Sequence, residues 1–141
     1  MAMDNIFGIA GSALNAQLTR MNATASNLAN AGTVSTNEQD AFRAKRPVFK
    51  ALVDAQMTHQ GAPYVGGVKV DRMADDSVPP RRVSDPRNPL ANEDGYVYQS
   101  NVSEVTEMVE MMAAARSYQN NVEVINTARQ LMMRTLDITK A

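Results

Sequence analysis

The sequence contains no cysteine, no tryptophan and a single histidine in 141 residues. Without thiols there is neither a disulfide framework nor a thiolate metal site. That fits a reducing compartment, and equally a protein exported unfolded that needs no oxidative folding. With His59 as the only imidazole, arrangements of nucleophile, base and orienting group lack parts. Aromatic residues are scarce, three Phe and four Tyr, which limits how tightly a compact core can be packed. No run approaches the roughly 20 apolar residues of a membrane span. The first positive side chain is Arg20, so the basic n-region of a cleaved secretory signal is missing. A net charge of −1, with no long basic run, gives no reason to expect nucleic acid as a partner. Asp75–Asp76 and Glu93–Asp94 read as soluble surface, and Gly66–Gly67 lacks the helix and Lys-Ser/Thr of a phosphate loop. No catalytic, cofactor-binding or metal-binding residue is assigned, and no enzyme activity is expected.

What the chain does have is helical periodicity at both ends. In the last forty residues Met108, Met111, Ala115, Tyr118, Val122, Ile125, Met132 and Leu136 fall on one line in steps of three and four, broken only at Arg129. Arg116, Asn120, Glu123, Thr127, Gln130, Arg134 and Asp137 form a wholly polar line on roughly the other side. The pattern predicts a long amphipathic helix with a heptad seam, capped by Asn101 with Glu104 in the capping-box position. Glu104, Glu107 and Glu110 near its start, and Arg129, Arg134 and Lys140 near its end, suit the helix dipole. Val105, Val109, Val124 and Leu131 widen the apolar stripe beyond what one neighbouring helix can cover.

Residues 4–31 predict a second helix, with Asp4 as N-cap and Phe7, Gly11, Leu14, Leu18, Met21, Ala25 and Leu28 on its seam. The other face is small and uncharged: Ser12, Asn15, Thr19, Asn22 and Ser26 line it. Between Asp4 and Glu38 the only charge is Arg20, so this helix reads as contacted on more than one side. Residues 31–40 read as a loop. Around Pro47 an edge strand is expected, Tyr64 to Val70 reads as a short strand, and 71–92 as irregular chain. Asp94–Gly95 then turns into a strand at Tyr96–Tyr98. The expected fold is therefore mainly α. Long N- and C-terminal helices (1–33 and 101–141) form an antiparallel coiled coil around a small β-rich middle module (34–100).

The terminal blocks resemble the flagellar basal-body rod proteins, in particular the proximal-rod members of the rod and hook axial family. The likeness is strongest from Asn88 to Ile138, where Ser117, Tyr118, Gln119 and Asn121 fall in a motif shared among axial proteins. Leu14 to Thr33 is similar to the axial N-terminal signature, centred on Asn27, Ala29, Asn30 and Thr33. Phe42 to Phe49 resembles the segment that follows in proximal-rod proteins. The Thr-Pro-Gly-Tyr turn of most rod and hook proteins is absent: Thr33 is followed by VSTNEQD, with Phe42 in the aromatic place.

The resemblance implies a structural subunit of the hollow drive shaft that transmits torque and passes exported subunits. Its implied partners are further copies of itself, the rod subunits FlgB, FlgF and FlgG, the rod adaptor FliE, the inner-membrane ring, and the flagellar type III export apparatus. Its implied place is the rod within the periplasm, reached without a cleaved signal peptide. Leu14, Leu18, Met21 and Leu28 are expected to pack on the C-terminal seam, and the polar line from Arg116 to Asp137 to face a water-filled channel. The competing readings are another short proximal-rod subunit, and a non-enzymatic helical adaptor that binds through its Met-rich face.

Overall fold

The computed structural model describes residues 2–52, 58–59, 62–63 and 66–139. In chain order the elements are α1 (Ala2–Ala29), β1 (Val34–Ser35), β2 (Lys45–Ala51), β3 (Thr58–His59), β4 (Ala62–Pro63), β5 (Val68–Asp75), β6 (Arg81–Ser84), β7 (Tyr96–Gln99) and α2 (Glu104–Thr139). β1, β7 and β6 form one antiparallel sheet in that order, β2 pairs with β5, and β3 with β4. The chain divides into two compact units, and α1, α2, β2 and β5 each contribute a segment to both.

Neither helix contains proline, and α2 holds no glycine over 36 residues. α1 ends where Asn30 and Thr33 turn the chain. The Asn30 side-chain amide donates to the Ser26 carbonyl (2.8 Å), and the Thr33 hydroxyl to the Asn30 carbonyl (2.7 Å). α2 does not start at Asn101. Ser103 immediately precedes the first helical residue, its carbonyl accepts the Glu107 N–H at 2.9 Å, and its hydroxyl accepts that of Thr106. Asn101 is drawn away because its amide is already used. Its Oδ1 accepts the Ala44 N–H (2.7 Å) and its Nδ2 donates to the Val78 carbonyl (2.6 Å).

The unit made of residues 20–47 and 73–112 holds the three-stranded sheet. Its apolar centre is small: Ala31, Ala44 and Val102, with Phe42 packed against them. Buried Ser100 ties the strand end to the loop after α1. Its N–H reaches the Thr33 carbonyl (3.1 Å), its hydroxyl donates to the Ala31 carbonyl (3.2 Å), and the Val102 N–H donates back to that hydroxyl. The expected loop at 31–40 thus contains strand β1, and the expected irregular stretch at 71–92 contains β6 and the end of β5. β1 takes its ladder bonds from β7, far along the chain, and β6 is exposed throughout with no alternation, so local composition registers neither. Arg82 stacks on the Tyr96 ring, 3.7 Å from its centroid.

In the unit made of residues 1–19, 48–72 and 113–141, the Ser12 hydroxyl donates to the Ile9 carbonyl (2.7 Å) and accepts the Val68 N–H (3.1 Å). Leu52 N–H donates to the Gly67 carbonyl (2.9 Å). Pro47 lies in β2, whose described partner is β5 alone, as a residue without an N–H requires. The predicted strand start at Tyr64 and the cation Lys140 lie outside the described residues.

Gly95 closes the turn before β7 with φ of 80°, and a Cβ built there would sit 3.3 Å from Pro86. Gly95→Ala is expected to cost about 1–2 kcal/mol, read as a lowered denaturant midpoint with unchanged slope.

Candidate functional site

Asn27 on α1 and Glu107 on α2 are fully buried polar side chains. Asn27 Oδ1 accepts the Lys45 N–H (2.8 Å) while Nδ2 donates both to the Lys45 carbonyl (3.0 Å) and to Glu107 Oε2 (3.0 Å). The amide thus bonds to both backbone groups of Lys45, as a neighbouring strand would, and uses its second N–H to hold a carboxylate. The other Glu107 oxygen lies 2.7 Å from Arg46 Nη2, an ion contact off the hydrogen-bond line, and Arg46 Nε is 3.7 Å from Asp76. Arg20 on α1 is paired with Glu110 on α2. From Arg20 to Asn27 the numbering rises while from Glu110 to Glu107 it falls, so in this unit the helices run antiparallel.

These contacts differ in what they are worth. Breaking a buried charged pair leaves an uncompensated charge, at a cost of about 3–5 kcal/mol. The Lys45–Asp75 bridge (2.8 Å) is exposed. The hydrogen bond from Lys45, then its charge, holds the Asp75 carboxyl below the ordinary 3.8. Its small contribution is therefore present above the unfolded carboxylate range and fades as pH falls.

The structure places the predicted seam residues unevenly. Met111, Ala115, Tyr118, Ile125 and Met132 are half-buried, whereas Met108, Val122 and Leu136 are exposed. The covered line within the chain runs Glu107, Met111, Ala114, Tyr118, Asn121, Ile125, Ala128, Met132, an unbroken alternation of fours and threes. It shares Met111, Tyr118, Ile125 and Met132 with the predicted line and moves the intervening members back by one residue. Arg129 is therefore no interruption, since Ala128 holds that position, buried at 5% exposure. On α1, Leu14, Met21 and Leu28 are half-buried and Leu18 is 47% exposed. The most covered positions there are Ala10, Ala16, Ala23, Thr24 and Asn27. Of the small-residue face, Ser12 and Thr19 are half-buried and Asn15, Asn22 and Ser26 exposed.

Arg116, Asn120, Glu123, Thr127, Gln130, Arg134 and Asp137 are all exposed. Among the signature residues Asn27 is the buried hub. Asn30 and Thr33 shape the turn, Ser117 and Tyr118 are half-buried, and Ala29 and Gln119 are exposed. Asn121 is half-buried and donates to the Ser117 carbonyl (2.9 Å). Sequence reasoning missed Glu107, Arg46 and Asn101 as partners. The signal was available: the line through Glu107, Ala114 and Ala128 has no Arg129 break.

α2 leaves Val105, Met108, Val109, Met112, Val122, Val124, Leu131, Met133, Leu136 and Ile138 exposed. Ile6, Val124, Ala128 and Leu131 line an apolar groove of about 400 Å³. Among the described residues no cluster of three or more His, Asp or Glu is placed to hold a metal, and no described helix is long and apolar enough to cross a membrane.

Two family models match, one at each end. "Flagella basal body rod protein" covers residues 7–34, and "Flagellar basal body rod FlgEFG protein C-terminal" covers residues 93–138. The chain is 48% identical over 138 residues to the flagellar basal-body rod protein FlgC of Salmonella typhimurium and 47% to that of Yersinia enterocolitica, covering 98% of each partner in both pairs. It is 33% identical over 143 residues to FlgC of Bacillus subtilis, across 94% of this chain and 95% of the relative.

Asn27→Ala is expected to lose about 2–4 kcal/mol, because Lys45 and Glu107 lose their partner together. Asn27→Asp sets a carboxylate against Glu107 and is expected to be worse. Urea unfolding at pH 7 checks both.

Proposed function

The chain belongs to the flagellar basal-body rod protein family, and from that membership we propose how its two faces are used in a structural rod subunit. Near-half identity over almost the whole length to named rod proteins carries the rod assignment. The family is a structural one. The chain's surface supports the use: ten large apolar side chains on one helix stand exposed in the single chain. Covering a half-exposed aliphatic side chain is worth about 1 kcal/mol, so packing against other subunits turns a liability into cohesion.

In this reading the helices pair as an antiparallel coiled coil, with the predicted seam residues that remain exposed, Leu18, Met108, Val122 and Leu136, serving contacts between subunits. Neighbours are further copies, other rod subunits, the rod adaptor and the inner-membrane ring. A head-to-tail contact that does not close on itself yields a helical shaft, suited to torque transmission. The polar line from Arg116 to Asp137 then faces water in the central passage, where its charges keep solvent. Delivery is through the flagellar type III apparatus to the periplasm, without a cleaved signal. The helical ends (1–33 and 101–141) are the assembling parts and the middle (34–100) decorates them.

Leu131→Glu is expected to leave the circular dichroism of the purified chain unchanged and to reduce swimming at least tenfold when it replaces the native gene. Full motility with this variant in isolated basal bodies counts against the use of this face.

A further inference from the structure

Methionine occurs in α2 as two adjacent pairs, Met111–Met112 and Met132–Met133, with Met108 one turn before Met112. In each pair the first member lies on the covered line and is half-buried, while the second points outward, at 64 and 55% exposure. Met108 is 53% exposed and stands four residues before Met112, so their Cβ atoms are neighbours roughly 6 Å apart on one face. Val105 and Val109, also exposed, complete that apolar patch, and exposed Glu104 and Arg116 continue its line at either end.

A thioether in this setting differs from the valines beside it. Its sulfur is open to a two-electron oxidant, and susceptibility follows exposure. With a hydroperoxide, the sulfur lone pair attacks one peroxide oxygen and the O–O bond breaks. The transferred oxygen gives its proton to the departing hydroxide, so the products are the sulfoxide and water. A flexible apolar side chain thereby becomes a polar one. At Met111 or Met132 that change falls on the helix seam and disturbs the fold. At Met108 and Met112 it falls outside the fold, because neither belongs to the covered line or to the Glu107 network. Two new S=O dipoles then sit side by side on the patch.

We propose that Met108 and Met112 form a modification site, at which hydrogen peroxide acting on the unassembled chain gives two sulfoxides that bar it from the rod without unfolding it. The identity of the neighbour over the patch does not matter, because any apolar contact there meets two polar oxygens. A methionine sulfoxide reductase restores the thioethers, which makes the block reversible. The inference rests on the rod-subunit reading and adds a control over which subunits enter.

Peptide mass spectrometry of the purified chain under hydrogen peroxide is expected to show Met108 and Met112 oxidised about fivefold faster than Met111, with circular dichroism unchanged while Met111 stays intact. Equal rates at Met111 and Met112, or loss of helix with only Met108 and Met112 oxidised, overturns the site. The consequence is read by competition in cells that lack methionine sulfoxide reductase and produce the unsubstituted chain beside Met108→Leu with Met112→Leu. Leucine keeps the apolar bulk without the sulfur. Peroxide during rod assembly is expected to enrich the leucine variant in isolated basal bodies about fivefold relative to whole cells. Met108→Gln with Met112→Gln sets a comparable polarity without oxidant. It is expected to fold as the unsubstituted chain does and to be depleted from basal bodies about fivefold, a result that decides the matter even where the leucine variant does not assemble. An unshifted leucine ratio under peroxide, or full incorporation of the glutamine variant, overturns the proposal. Absence of the untreated, unsubstituted chain from basal bodies overturns the rod reading instead.

Discussion

A carboxylate removed from water must be answered on every side, and in this chain Glu107 is that carboxylate. It takes an amide from α1 and a guanidinium from the start of β2, and those elements have little freedom once both are in place. The apolar centre nearby consists of two alanines and a valine with one phenylalanine against them, too small to fix a register by shape. Polar specificity supplies what volume does not. A buried polar residue that sets the register of paired helices is a known use of such groups, and here one amide also sets the strand.

Much of this was legible in the residues. Both helices and the strands around Pro47 and after Gly95 follow from spacing and composition, and the family likeness of the two ends from the motifs they carry. The rotation of the α2 seam was harder to read because two lines one residue apart share Met111, Tyr118, Ile125 and Met132. Choosing Met108 and Val122 over Glu107 and Asn121 follows hydrophobicity. The fold instead covers the small or hydrogen-bonded members and leaves the large ones outside. That inversion is unfavourable for a solitary chain and reasonable for one whose outer face is covered by neighbours. The short strand β1 escaped because its partner β7 lies far along the chain, and β6, which pairs with the next strand, because its residues are all exposed and show no alternation. The Asn101 cap failed because an N-cap signature states what a side chain can do, and a tertiary partner claimed it first.

The two kinds of surface on α2 divide along the helix. Up to Met112 the side away from Glu107 is apolar; from Arg116 the corresponding side is polar to Asp137. One continuous helix therefore presents an exposed apolar face and an exposed polar one in succession.

The bidentate grip of Asn27 on Lys45 has a consequence for growth. A strand end normally offers its N–H and carbonyl to any passing chain, which is how sheets recruit further strands. At Lys45, the first residue of β2, both groups are consumed by a side chain from α1, so that strand end is closed to further pairing. At the start of β2, protection against the open-ended edge pairing that leads to fibres is carried by one amide.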